Sequence, residues 1–128
     1  LKDDTIVNNI IMDLPYDPQK FASVLRLSHA FDFVNALPQK EHTVIGEDGA
    51  LLSGGQLQRL SLAQSLYREP QILVYDEATS ALDKATEHEV ISSLCELPVT
   101  IILVTHSPEM IDFCDKVLYT CMMSPANA

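Results

Sequence analysis

Two carboxylates stand side by side at Asp76-Glu77, directly after the apolar run Ile72-Leu73-Val74-Tyr75. A histidine, His106, follows a second run, Thr100-Ile101-Ile102-Leu103-Val104, with Thr105 between them. Short continuous apolar runs read as strands buried on both faces, the pattern of a parallel sheet. In such a sheet ligands gather at the carboxyl ends of the strands. Adjacent carboxylates there are costly unless they serve a charge. A hydrated Mg²⁺, held by one carboxylate and by substrate phosphates, is the natural partner. The second carboxylate is then placed to polarise a water for attack on a phosphoryl group. His106 can donate to a phosphate oxygen from the neighbouring strand. Taken singly, the acids read as a loop start or helix cap, and the histidine as structural. Their coincidence at two strand ends is what points to chemistry.

The sharpest local feature is Leu52-Ser53-Gly54-Gly55-Gln56. Ser53 can cap a helix by accepting from the backbone N–H of Gln56, while the Gln56 side chain reaches back. Free N–H groups and the helix dipole make such an N-terminus a site for an anion. Glycines at 54 and 55 let a phosphate approach the backbone. The plain reading is a serine-capped helix after a glycine turn.

The elements that must position these groups alternate along the chain. Asp17-Pro18 predicts a helix start, and Phe21, Val24, Leu25, Phe31 and Val34 recur at helical spacing until Pro38. Residues 39–52 read as loop, with Gly46 and Gly49. A helix from Ser53 runs to about Tyr67, and Pro70 stops it. Strands follow at 71–75 and 100–104, with a weaker one at Lys116–Thr120. Asp83 caps a helix near 84–96 with Val90, Ile91 and Leu94 inward, and Ser107-Pro108 caps a short one near 108–114. Strand, helix, strand, helix, strand makes a parallel α/β sheet the default for the second half; the first half is mostly helical.

Composition narrows the classes. The chain has 128 residues, 8 Lys+Arg against 18 Asp+Glu, a formal net charge of −10, and 47 % apolar residues. That suits a buried core and excludes global disorder. No apolar run approaches the roughly 20 residues that cross a bilayer. A chain this acidic is not expected to bind nucleic acid. Cys95, Cys114 and Cys121 form no C-x-x-C pair, so they read as buried thiols in a reducing compartment, not as disulfides or a zinc site. The chain opens on Leu1 with no leader pattern, which suggests that upstream sequence is missing.

Leu52-Ser53-Gly54-Gly55-Gln56, continuing as Leu57-Gln58-Arg59-Leu60-Ser61-Leu62-Ala63, resembles the signature motif of ATP-binding cassette (ABC) proteins. Ile72–Glu77 is similar to the family's Walker B strand, Ala78–Asp83 to its D-loop and Thr105-His106-Ser107 to its switch-histidine loop. Thr43–Gly49 resembles the X-loop before the signature in exporter-type members, and Asp4–Ile10 the segment after the Q-loop. The resemblance covers residues 1 to about 120. It implies a partial P-loop NTPase (RecA-like) parallel sheet plus the ABC helical subdomain. Residues 1–70 would be the helical subdomain with X-loop and signature, 71–121 the Walker B, D-loop and switch-histidine part of the core, and 122–128 a tail.

The resemblance also implies roles. Asp76 would hold Mg²⁺, Glu77 would be the general base, and His106 would contact the γ-phosphate of ATP. Ser53, Gly54, Gly55 and Gln56 would close over the nucleotide of a second nucleotide-binding domain, in a head-to-tail dimer. Ser80 and Asp83 of the D-loop would couple the two sites. Residues near 43–49 would face the coupling helices of a transmembrane domain, on the cytoplasmic side of a membrane.

The departures are as informative. No G-x-x-x-x-G-K-[ST] occurs, so the Walker A loop and its strand are missing. The adenine-stacking aromatic and the Q-loop glutamine are missing too. The strand at 100–104 should therefore carry an open edge, an aggregation hazard. Tyr75 replaces a commoner aliphatic residue, which reads as a small change on an apolar surface. The implied function is the C-terminal part of an exporter ATPase subunit, with the chain alone inactive. The alternatives are a non-catalytic signature-bearing module that pairs with an intact ABC ATPase, and part of a non-transport ABC ATPase.

Overall fold

A computed structural model describes residues 1–46 and 51–113. The first strand, β1 (Asp4–Thr5), pairs antiparallel with β2 (Val44–Ile45), Asp4 opposite Ile45 and Thr5 opposite Val44. Gly46 ends this ribbon at φ +123°, and a Cβ there would stand 1.8 Å from Asp3 Oδ1 and 2.9 Å from Asp3 Cα. Only glycine fits that approach. Residues 39–46 are thus not plain loop: a 3₁₀ turn (Lys40–His42) and β2 lie inside the segment expected to be irregular. Two-residue strands carry no periodic signal in sequence.

Helix α1 (Ile6–Ile11) follows β1 and buries Ile6, Asn9 and Ile10. Asn9 ties α1 to the backbone that enters it. Its Oδ1 accepts from the Lys2 N–H at 2.7 Å, and its Nδ2 donates to the carbonyls of Lys2 and Thr5 at 3.0 and 2.9 Å.

The helix predicted from Pro18 to Pro38 is two helices, α2 (Pro18–Leu27) and α3 (Phe31–Ala36). Asp17 caps α2 as expected, accepting from Gln19 and Lys20. The break is a Schellman turn. The Ala30 N–H reaches Leu25 O at 2.8 Å and the His29 N–H reaches Arg26 O at 3.1 Å. His29 takes the left-handed position at φ +59°, where glycine is usual. Apolar spacing runs through the break unaltered, so periodicity could not reveal it.

Helix α4 (Gly54–Tyr67) begins with the expected capping box: Gln56 N–H to Ser53 Oγ at 3.1 Å, and Ser53 N–H to Gln56 Oε1 at 2.9 Å. Tyr67 ends it fully buried, its hydroxyl donating to Pro15 O at 2.6 Å and accepting from the Asp17 N–H at 2.9 Å. Strand β3 (Ile72–Asp76) then pairs in parallel with β4 (Thr100–Val104), Ile72 opposite Thr100 through to Asp76 opposite Val104. Helix α5 (Lys84–Cys95) crosses between them, and a 3₁₀ stretch (Pro108–Phe113) replaces the short helix expected after Ser107. Cys95, expected to be buried, is exposed at the end of α5. The strand expected at Lys116–Thr120 and the tail lie outside the described residues, as do Cys114 and Cys121.

Ile6, Leu25, Val34, Leu60, Ala63, Tyr67, Leu73, Val90 and Leu94 share one core, which joins the helices to the inner face of β3. Tyr75, Ile91 and Met110 form a smaller cluster beside it. The expectation of strands buried on both faces is corrected. Ile72 and Val74 are 60 % and 62 % exposed, and Ile102 and Val104 are 48 % and 46 % exposed. The helices that cover the sheet pack on one side, and no described residue covers the other. Among the described residues both outer edges of the pair are open, β4 included. No described helix is long and apolar enough to cross a membrane.

Candidate functional site

Glu77 is the centre of the polar end of the sheet. It opens a 3₁₀ turn (Glu77–Thr79) directly after β3, and its side chain is 12 % exposed. Thr105 Oγ1 donates to Glu77 Oε2 at 2.6 Å, and Ser107 Oγ donates to Oε1 at 2.7 Å. Lys84, the first residue of α5, reaches Oε1 at 3.4 Å and Ser107 Oγ at 2.8 Å. Parallel pairing makes this possible, because it brings the ends of β3 and β4 to the same edge.

Burial resists ionisation of Glu77. The hydrogen bonds from Thr105, Ser107 and Lys84, with the Lys84 charge, outweigh it and hold the carboxyl down at about 2. Among the described residues Oε1 is engaged twice and Oε2 once, which leaves a lone pair on Oε2 for a further donor.

The other predicted residues fall around this point. Asp76 ends β3 opposite Val104, half-buried. His106 lies between Thr105 and Ser107 and is exposed. Thus the two hydroxyls that flank His106 grip Glu77, while His106 itself is exposed. Asp83 caps α5, accepting from the Thr86 N–H at 2.7 Å. That bond holds its carboxyl below the usual range.

The signature segment meets the loop before α5. A Cβ added at Gly55 would lie 3.3 Å from Ala81 O and from Leu82 Cδ2, and one at Gly54 would lie 3.4 Å from Ala81 Cβ. The glycines therefore admit the 80–82 loop against α4, a packing role that sequence did not suggest. Their N–H groups lie in the first turn, ahead of the first intrahelical acceptor, Ser53 O, which takes the Leu57 N–H at 2.9 Å. Arg59 fixes this end of α4: its guanidinium donates to His29 O at 3.0 Å and lies 4.9 Å from the Phe33 ring centre. Residues 47–49 of the expected X-loop lie outside the described residues.

Sequence reasoning missed Thr105, Ser107 and Lys84 as partners of Glu77, and it undervalued Tyr75. The signal for the first two was present: hydroxyls on both sides of a histidine at a strand end. Lys84 gave none, because only folding brings the start of α5 beside Glu77.

For Mg²⁺ the fit is partial. Asp76 offers the hard oxygen that the ion prefers. Among the described residues no group of three His, Cys, Asp or Glu side chains converges on a metal position. Asp76 could hold the ion only together with waters and a ligand's phosphates.

Comparison with known proteins gives a consistent picture. A family model described as ABC transporter matches residues 3–80. The "ATP-dependent lipid A-core flippase" of Haemophilus influenzae is 42 % identical over 122 residues, covering 92 % of this chain and 21 % of that protein. The protein of the same description from Vibrio cholerae is 39 % identical over the same share of each chain. A solved structure, "a bacterial Atm1-family ABC exporter with ATP bound", superposes with a TM-score of 0.76 at 35 % identity, over 87 % of this chain and 20 % of that one. The chain spans about a fifth of the length of the curated relatives it matches.

Proposed function

The chain belongs to the ABC transporter family, and from that premise we propose that it is the signature-bearing, C-terminal part of the ATP-binding unit of an exporter. Within the complete protein that unit binds and hydrolyses ATP to drive transport across a membrane, on whose cytoplasmic side it sits. Residues 1–70 serve as its helical subdomain and 71–121 as part of its nucleotide-binding core. The observation that carries the proposal is the seat of Glu77, ionised at the joint end of two parallel strands and gripped from both sides of His106.

Each role follows from what the side chain can do. A carboxyl held at about 2 stays ionised and takes up a proton poorly. Glu77 therefore acts by accepting a hydrogen bond from the attacking water, on the lone pair left at Oε2, and so aims it. His106, exposed beside it, donates to the γ-phosphate. Asp76 would hold Mg²⁺ through water, and the ion would offset charge on the phosphates. Ser53, Gly54, Gly55 and Gln56 present a helix N-terminus that suits the nucleotide of a second nucleotide-binding domain, paired head to tail. Ser80 and Asp83 flank the Ala81–Leu82 contact with the signature glycines, in the loop that leads on from the Glu77 turn, which suits coupling of the two sites. The 43–49 segment is assigned to the coupling helices of the transmembrane domain. The relatives' description makes lipid A-core the first substrate to assay.

The test is Glu77→Gln in the full-length protein. ATP binding is expected to persist while turnover falls by about 100-fold or more. Unchanged turnover removes Glu77 from the reaction and the proposal with it.

A further inference from the structure

The packing around Tyr75 could be met by phenylalanine. The residue is 7 % exposed and sits with Ile91, Met110 and Leu103. What tyrosine adds is one oxygen, and that oxygen joins four elements. It donates to Glu87 Oε2 of α5 at 3.1 Å. It lies 3.1 Å from Ser80 Oγ, in the loop before α5, and 3.4 Å from Gln58 Nε2 of α4. Burial, with the Glu87 carboxylate beside it, pushes the phenol up to about 12, so the hydroxyl keeps its proton. With the phenol's proton directed at Glu87 Oε2, the bond to Ser80 runs from the serine hydroxyl to the phenol oxygen.

Gln58 completes the loop's attachment. Its Oε1 accepts from the Ala81 N–H at 2.5 Å, and its Nε2 donates to Ser80 Oγ at 3.3 Å. Ser80 Oγ also accepts from the Leu82 N–H at 3.2 Å. Glu87 is 2 % exposed, and its second oxygen, Oε1, has no hydrogen-bond partner among the described residues. A buried carboxylate with one idle oxygen is expensive. What it gains here is a fixed direction for the Tyr75 hydroxyl. The Ser80–Leu82 loop is the same one that rests on Gly54 and Gly55 and leads from the Glu77 turn to the Asp83 cap.

We propose that Tyr75 and Gln58 are positioning residues that latch the Ser80–Leu82 loop to α4, fixing the signature glycines relative to the Glu77 turn for the ATP hydrolysis proposed above. The proposal rests on that functional reading. It adds two residues that act through the loop they hold.

The test uses the full-length protein with Gln58→Leu, Tyr75→Phe and Tyr75→Phe/Glu87→Met. The double variant removes both partners of the buried bond and so avoids stranding the carboxylate. Two readouts are taken. Amide exchange at Ala81 is expected to quicken about 10-fold or more in Gln58→Leu. ATP turnover is expected to show kcat lowered about 5- to 20-fold in Gln58→Leu and in the double variant, with KM within twofold and the double variant's melting temperature near that of the parent. A kcat that recovers together with the melting temperature in the double variant makes the role merely structural and overturns the proposal. Unchanged exchange at Ala81 in Gln58→Leu overturns it as well, since no latch then exists. A parent protein that turns over no ATP, yet whose Ala81 exchange depends on Gln58, defeats the ATPase reading and the positioning role while leaving the latch itself measured.

Discussion

Thr105 Oγ1 and Glu77 Oε2 are 2.6 Å apart, each just beyond the end of one of two adjacent parallel strands. This bond lets the loop after β4 sense the ionisation of the turn after β3. Glu77 titrates at about 2 in the folded chain, below its ordinary 4.5. Its stabilising contribution is therefore complete above pH 4.5 and is lost as pH falls through about 2. Thr105→Val keeps shape and removes the donor. It is expected to cost about 1.5 kcal/mol near neutral pH. Thermal melting from pH 7 downward should show the parent's advantage shrinking towards pH 2. A pH-independent difference would assign the loss to packing and not to the carboxylate.

Gly46→Ala asks for a side chain where Asp3 already stands, at a φ of +123°. We expect a loss of about 2 kcal/mol or more. The damage should be local to the β1–β2 ribbon. Hydrogen exchange checks this: the Ile6 amide, bonded to Thr43 O at 2.9 Å, should lose protection while the α5 amides keep theirs.

His29 sits where glycine usually ends a helix, and its ring Nε2 lies 3.0 Å from Ser93 Oγ of α5. His29→Ala and His29→Gly both delete that contact. Only the alanine must also bear the left-handed backbone. His29→Gly is expected to be the more stable of the two by about 1 kcal/mol in urea unfolding. Equal stabilities would mean that the Schellman turn relaxes when the imidazole leaves.

Val74 and Ile102 are register partners on the uncovered face of the sheet. The pair Val74→Glu with Ile102→Lys adds one acid and one base, so the net charge stays at −10. It places opposite charges across the strands on a face now apolar. Sedimentation of this chain is expected to show self-association in the parent and markedly less in the double variant. Association that is undiminished would place the adhesive surface elsewhere.

Local rules carried the helix starts. Asp17, Ser53 and Asp83 each cap a helix at the predicted place, because a cap needs only its own next three residues. Parallel pairing of the two apolar runs followed from their alternation with helices. What stayed hidden was non-local. The turn at His29 depends on backbone bonds that leave apolar spacing intact. Lys84 and Ser107 meet Glu77 only once α5 has crossed from β3 to β4. Tyr75 read as a neutral exchange on an apolar surface, since its partners Gln58 and Glu87 lie 17 and 12 residues away. Burial failed at the sheet: the sequence of β3 and β4 suits two covered faces, and among the described residues one is covered.

That half-covered sheet also bears on the chain's life in a cell. Extended β-branched residues in open water are what quality-control machinery takes as unfinished folding. Ile72, Val74, Ile102 and Val104 present four such side chains on one strip. Accumulation of a protein that carries this segment would then follow the speed with which something shields the strip, more than the strength of the segment's own core.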